Sequence, residues 1–119
     1  MKETTLEHSI VGINATWVTP NRYIKHEDSI RLIQDVRGTR SYGSAALELA
    51  FLATGRIDAY ISMRLSPWDI AGGMVIAREV GAVATNFFGE PANLLKQDAF
   101  IAANPSVHEK ILTEYIHLK

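Results

Sequence analysis

The chain has 119 residues, enough for one ordinary domain with a continuous apolar core. Hydrophobic residues make up 47% and charged residues 21%, the balance of a globular rather than a disordered protein, and a net charge of −1 offers no basic face to nucleic acid. With no cysteine, disulfides, thiolate metal sites and cysteine nucleophiles are excluded. No apolar run approaches the roughly 20 residues that cross a bilayer, and Met1 to His8 is too polar for a signal peptide. The expected setting is soluble and cytoplasmic, with neither a membrane nor a nucleic-acid partner.

Residues 1–8 read as a polar lead-in without structure of their own. Residues 9–17 are rich in β-formers and end at Thr19-Pro20-Asn21, which predicts a strand. Apolar residues then recur at helical spacing over 26–36, with Glu27 and Asp28 well placed for the first turn, and Gly38 stops the helix. Arg40 to Ser44 reads as a short extended piece that runs into a helix over 45–53, apolar nearly all round and closed by Thr54-Gly55. A strand over 57–62, a helix over 67–80 ending at Gly81, and strands over 82–85 and 100–103 follow. A last helix starts at Ser106 and buries Val107, Ile111, Leu112, Tyr115 and Ile116. Strands and helices alternate over 9–119 without a linker, which predicts a single layered αβα domain of the α/β class: a mixed sheet of about five strands with helices on both faces.

Two helix starts carry the chemistry on offer. At Gly43-Ser44-Ala45 the chain enters a helix through small residues, leaving backbone N–H groups and the positive end of the helix dipole open to an anion. A plain N-cap accounts for the same residues. At Ser66-Pro67-Trp68-Asp69, Ser66 is a natural N-cap, Pro67 suits the first helical position and Asp69 sits where a carboxylate can reach back as in a capping box. Trp68 reads as core. Four histidines, His8, His26, His108 and His117, fall in polar or helix-end settings, show no zinc-ligand spacing, and read as surface residues. Asp58 reads as structural.

Five segments taken together carry a resemblance: Arg40-Ser-Tyr-Gly-Ser-Ala-Ala-Leu-Glu-Leu, Ala53-Thr-Gly-Arg-Ile-Asp-Ala-Tyr, Trp68-Asp-Ile-Ala-Gly-Gly, Glu79-Val-Gly-Ala-Val and Ile101-Ala-Ala-Asn-Pro. In order and spacing they resemble the C-terminal half of the inositol monophosphatase family, bacterial members above all, from about Ile10 to the end. The resemblance implies a Mg²⁺-dependent phosphomonoesterase, with Asp69 as a metal ligand and Gly43, Ser44 and Ala45 at the phosphorylated substrate. Magnesium takes hard oxygen ligands and keeps company with substrate phosphate, so the pairing is chemically sensible.

Two departures from the family pattern matter. Classical inositol phosphatases carry a substrate-binding glutamate seven residues before the signature aspartate, where this chain has Ser62. A serine can hydrogen-bond a sugar hydroxyl but brings no charge, and Arg64 reads equally as a cation that favours a more anionic substrate or as a solvated surface residue; the departure points away from inositol monophosphate to another small phosphate ester, such as a sugar phosphate or fructose bisphosphate. The second departure is larger: the family's Asp-Pro-Ile/Leu-Asp-Gly-Thr motif and its upstream glutamate belong to an N-terminal half that does not occur in these 119 residues. The isolated chain is therefore expected to be inactive, to need that half as its partner, and to self-associate through apolar surface the half would cover. The alternative expectation is a non-catalytic, dimerising module that has kept the fold.

Overall fold

A computed structural model describes residues 4–13, 26–42, 44–91 and 98–116. In chain order these form β1 (Ile10–Ile13), α1 (His26–Asp35), β2 (Gly38–Arg40), α2 (Ala45–Ala53), β3 (Ala59–Leu65), α3 (Pro67–Val80), β4 (Val83–Thr85), β5 (Asp98–Ala103) and α4 (Pro105–Glu114). The strands make one five-stranded sheet in the order β2-β1-β3-β5-β4. β1 pairs parallel with β2 and β3, and β5 pairs antiparallel with β3 and β4, so the sheet is mixed, as the alternation of elements predicts.

The side-chain period of a strand divides the core in two. Ala59 and Ile61 of β3 and Ala99, Ile101 and Ala103 of β5 pack with Leu32 of α1 and Val107 and Ile111 of α4. Tyr60, Phe100 and Ala102, pointing the other way, pack with Leu49 and Leu52 of α2 and Ile70 of α3. Helices thus cover both faces, and the strands between them are apolar on both sides. A register shift in the β3–β5 pairing between Ser62 and Leu65 breaks the alternation, and Leu65 joins Tyr60 on the α2–α3 side. That shift lies just before the turn into α3.

Helix ends follow local chemistry. Ser44, Ser66 and Asn104 cap α2, α3 and α4 by accepting the N–H of Leu47, Asp69 and Val107, and Pro67 and Pro105 occupy first-turn positions where no N–H is needed. Gly81 closes α3 in the left-handed region at φ 77°. Gly73 allows close approach. A Cβ there would stand 2.8 Å from Phe100 Cζ and 3.3 Å from Leu49 Cδ2, whereas one on Gly72 would meet nothing within 4 Å.

Three expectations are corrected here. Residues 4–8 are not a bare lead-in, because a 3-10 turn over Leu6–His8 buries Leu6 in the core on the α1–α4 side. The strand expected over 9–17 is present at Ile10–Ile13, and the rest of it lies outside the described residues. Trp68 is not core but 88% exposed, since α3 turns Ile70, Gly73 and Ala77 to the sheet and its second residue away from it. His108 is not at the surface. It shares the buried stripe of α4 with Val107 and Ile111 and sits over the end of β4.

His108 Nε2 lies 2.7 Å from Thr85 Oγ1, and that hydroxyl donates its own proton to the Asn86 carbonyl at 2.8 Å. The ring nitrogen must therefore be the donor, which fixes the neutral tautomer with its proton on Nε2. Burial holds the pKa of His108 below the usual 6.5, and Glu109 opposes only in part. A histidine depressed in the folded state contributes fully above its unfolded pKa, and that contribution is lost as pH falls through the folded value. The folded chain is expected to lose stability steadily as pH drops below 6.5. His108→Gln, which keeps a donor toward Thr85 but cannot titrate, should flatten that slope in urea denaturation across the acid range.

Candidate functional site

At the start of α2, Ser44 is in extended conformation and its hydroxyl accepts the Leu47 N–H at 3.3 Å. Ala45 follows as the first helical residue, and Gly43 lies outside the described residues. Tyr42, just upstream, is tied to α2 twice. Its N–H donates to Glu48 Oε1 at 3.3 Å, and its ring meets that of Phe51 edge-on at 4.7 Å.

At the start of α3 the Ser66 hydroxyl accepts the Asp69 N–H at 3.3 Å and donates to Asp69 Oδ2 at 3.0 Å. The carboxylate reaches back as the spacing predicts, but to the side chain of the capping serine rather than to its backbone. One serine thus fixes both the helix start and the aspartate's orientation, and Asp69 remains partly exposed.

Between the two starts runs β3. Ser62 is 1% exposed, and its hydroxyl hydrogen-bonds the phenol of Tyr60, two residues earlier on the same side of the strand. Burial, with Glu48 next and Asp69 after it, pushes the Tyr60 phenol up to about 12, and the bond from Ser62 offsets only part of this. Glu48 is itself buried, which raises its carboxyl pKa against the opposing pull of the Tyr42 N–H. Glu48, Ser62 and Asp69 are thus all near enough to Tyr60 to act on its phenol. Arg64 is in β3, and its side chain lies outside the described residues.

Of the residues singled out from sequence, Ser62 and Asp69 both act on Tyr60, and Ser44 and Ala45 open the helix that carries Glu48. Tyr60 and Glu48 went unnoticed. Glu48 left one signal, a lone carboxylate in a nine-residue helix otherwise made of alanine, leucine and phenylalanine. Asp58, read as structural, is so: its carboxylate accepts the Ile10 N–H at 2.8 Å and locks β3 to β1.

A magnesium ion takes near-octahedral oxygen ligands. Among the described residues no group of three or more histidine, aspartate or glutamate side chains is placed to hold a metal. Asp69 offers one hard oxygen ligand, and Glu48 is turned inward to Tyr42. These residues do not by themselves make a magnesium site. No described helix is long and apolar enough to cross a membrane.

With this geometry in hand, the comparisons are direct. The Inositol monophosphatase family profile matches residues 2–118. The inositol-1-monophosphatase of Bacillus subtilis strain 168 is 55% identical over all 119 residues, which are 45% of that protein's length. Staphylococcal IMPase-II, crystallised with inositol monophosphate, superposes with a TM-score of 0.88 at 40% identity, over 98% of this chain and 45% of that one. An IMPase/NADP phosphatase complexed with Mg²⁺ and phosphate superposes with a TM-score of 0.77 at 27% identity, over 92% of this chain and 40% of that one. The chain thus spans a little under half the length of these relatives. With the five-stranded sheet, its two helical layers and the Trp68-Asp69 helix start all in the family's order, the chain belongs to the inositol monophosphatase family.

Proposed function

We propose that this chain is the C-terminal domain of a magnesium-dependent phosphomonoesterase that hydrolyses a small alcohol or sugar phosphate. The observation that carries this is the fixed Asp69 carboxylate, held by Ser66 at a helix start within the family's Trp-Asp signature. In the complete enzyme Asp69 contributes one ligand. A second segment, with the remaining carboxylates, contributes the others. When bound, magnesium supplies positive charge to the phosphoryl oxygens. The α2 start, Gly43-Ser44-Ala45, receives anionic oxygens of the substrate on its backbone N–H groups.

Ser62 stands where classical inositol phosphatases have a glutamate. Neutral and buried beside Tyr60, it offers no charge to inositol hydroxyls, which favours another ester, with Arg64 favouring one that is more anionic. The second segment is proposed to cover the outward side of α2 and α3. Leu47 and Tyr42 are 41% exposed there, Val75 58% and Trp68 88%, among small residues that let another layer approach closely. That same surface favours the alternative, a dimerising module, and for the chain by itself self-association is expected.

The test is phosphate release from a panel of sugar phosphates, fructose bisphosphate and inositol monophosphate. It uses this chain joined to the N-terminal half of a family member, with and without Mg²⁺. Magnesium-dependent release that favours a sugar phosphate is expected. Failure on the whole panel would remove the enzyme reading and leave the module.

A further inference from the structure

The α2 start can receive an anion only if the segment leading into it is held still, and the structure offers a device for that in Glu48. Glu48 is 2% exposed and has no cationic partner among the described residues. A buried carboxyl with one backbone contact is costly, and nothing in the packing of an apolar helix demands it. It packs against β1: a Cβ on Gly12 would stand 3.6 Å from Glu48 Oε1, in ordinary contact, and 2.8 Å from Ile57 Cδ1. Among the described residues the Glu48 carboxyl accepts the Tyr42 N–H, one residue before the glycine-serine entry to α2.

Tyr42 is otherwise an exposed residue, 41% accessible, two residues past the end of the edge strand β2. Its backbone sits outside the regular hydrogen bonding of both β2 and α2, so the bond to Glu48 and the ring contact with Phe51 are what fasten it. Both come from α2 itself. The helix therefore anchors the segment that leads into its own N-terminus, and the Ser44 cap completes the arrangement.

We propose that Glu48 is a positioning residue: through the Tyr42 N–H it holds the approach to α2 so that the helix start at Ser44 and Ala45 meets the substrate's anionic oxygens in a set geometry. This rests on the phosphomonoesterase reading for what the segment binds, but not for how it is held.

Amide hydrogen exchange on the 119-residue chain tests the holding. In the wild type the Tyr42 amide should exchange at least about tenfold slower than an unstructured amide, as a hydrogen bond shielded from water requires. Exchange at the free-chain rate would overturn the proposal without any variant. Glu48→Met fills the space without an acceptor. It should speed Tyr42 exchange by about tenfold while the thermal midpoint holds or rises, because the buried carboxyl is gone. Glu48→Gln keeps an acceptor and should restore slow exchange. A residue serving only packing would move stability and exchange together, and Glu48→Gln failing to restore would count the same way.

The consequence for substrate is read in the chain joined to its N-terminal half. Glu48→Met should raise KM by about tenfold with kcat within about twofold, the signature of lost ground-state and transition-state binding alike. An unchanged KM would overturn the substrate-positioning role. Loss of the phosphatase reading would show instead as a wild-type enzyme without turnover, and would leave the exchange result standing.

Discussion

Asp69→Asn, placed in this chain when joined to an N-terminal half, is expected to cut phosphate release by at least about a hundredfold with little effect on folding. The asymmetry comes from the two jobs of the side chain. As a capping partner, Asp69 accepts the Ser66 hydroxyl through one oxygen, and an asparagine carbonyl can do the same. As the proposed metal ligand it would supply a negative charge that an amide lacks. Metal stabilisation of a phosphoryl-transfer transition state is worth several kcal/mol, and each 1.4 kcal/mol is about tenfold in rate. Turnover assays and thermal melts on the same preparations check both halves. Equal losses in the two would make Asp69 a cap and nothing more.

Two adjacent glycines should respond in opposite directions. Gly72→Ala is expected to stabilise the chain by about 1 kcal/mol, the helix-propensity gain, because a methyl there meets nothing within 4 Å. Gly73→Ala collects the same gain but forces its methyl to 2.8 Å from the Phe100 ring, which is fully buried against α2, α3 and the sheet. Overpacking a close-packed core costs about 1–3 kcal/mol, so against the propensity gain of about 1 kcal/mol the net expectation is a loss of up to about 2 kcal/mol. For a domain of this size that is a fall in melting temperature of up to roughly 8 °C. Melting curves for the two variants side by side decide it: two variants shifting the same way would mean that α3 does not approach the sheet as closely as described.

How far the fold can be read from sequence depends on what fixes each element. Elements with a local cause were legible. α2 and α3 run between residues that specify their own ends, Ser44 to Thr54 and Ser66 to Gly81, and both match their expected spans. β2 was legible only as an extended approach to α2. Its three residues, Gly38, Thr39 and Arg40, have no strand pattern of their own, and their state is set by parallel pairing with β1. Leu65 was out of reach for a related reason, since the register shift after Ser62 changes which side of the sheet it faces and no residue type announces it.

The site divides along the same line. Ser66 and Asp69 meet within one helical turn, so their reciprocal bonds follow from spacing. Tyr60 joins Glu48, Ser62 and Asp69 only because a strand side chain and two helix starts converge on the same side of the sheet. Likewise, His108 and Thr85 are 23 residues apart, and what buries the imidazole is the crossing of α4 over β4. Such contacts are tertiary, and a polar residue type alone predicts the surface.

The central claim is that Asp69 is one part of a metal site whose other ligands come from outside these 119 residues. Its most direct test is the release of inorganic phosphate by the 119-residue chain, with saturating Mg²⁺, measured alone and after joining to the N-terminal half of a family member. The account predicts no release above buffer for the chain alone and magnesium-dependent turnover for the joined protein. Turnover by the chain alone, abolished by Asp69→Asn, would contradict it.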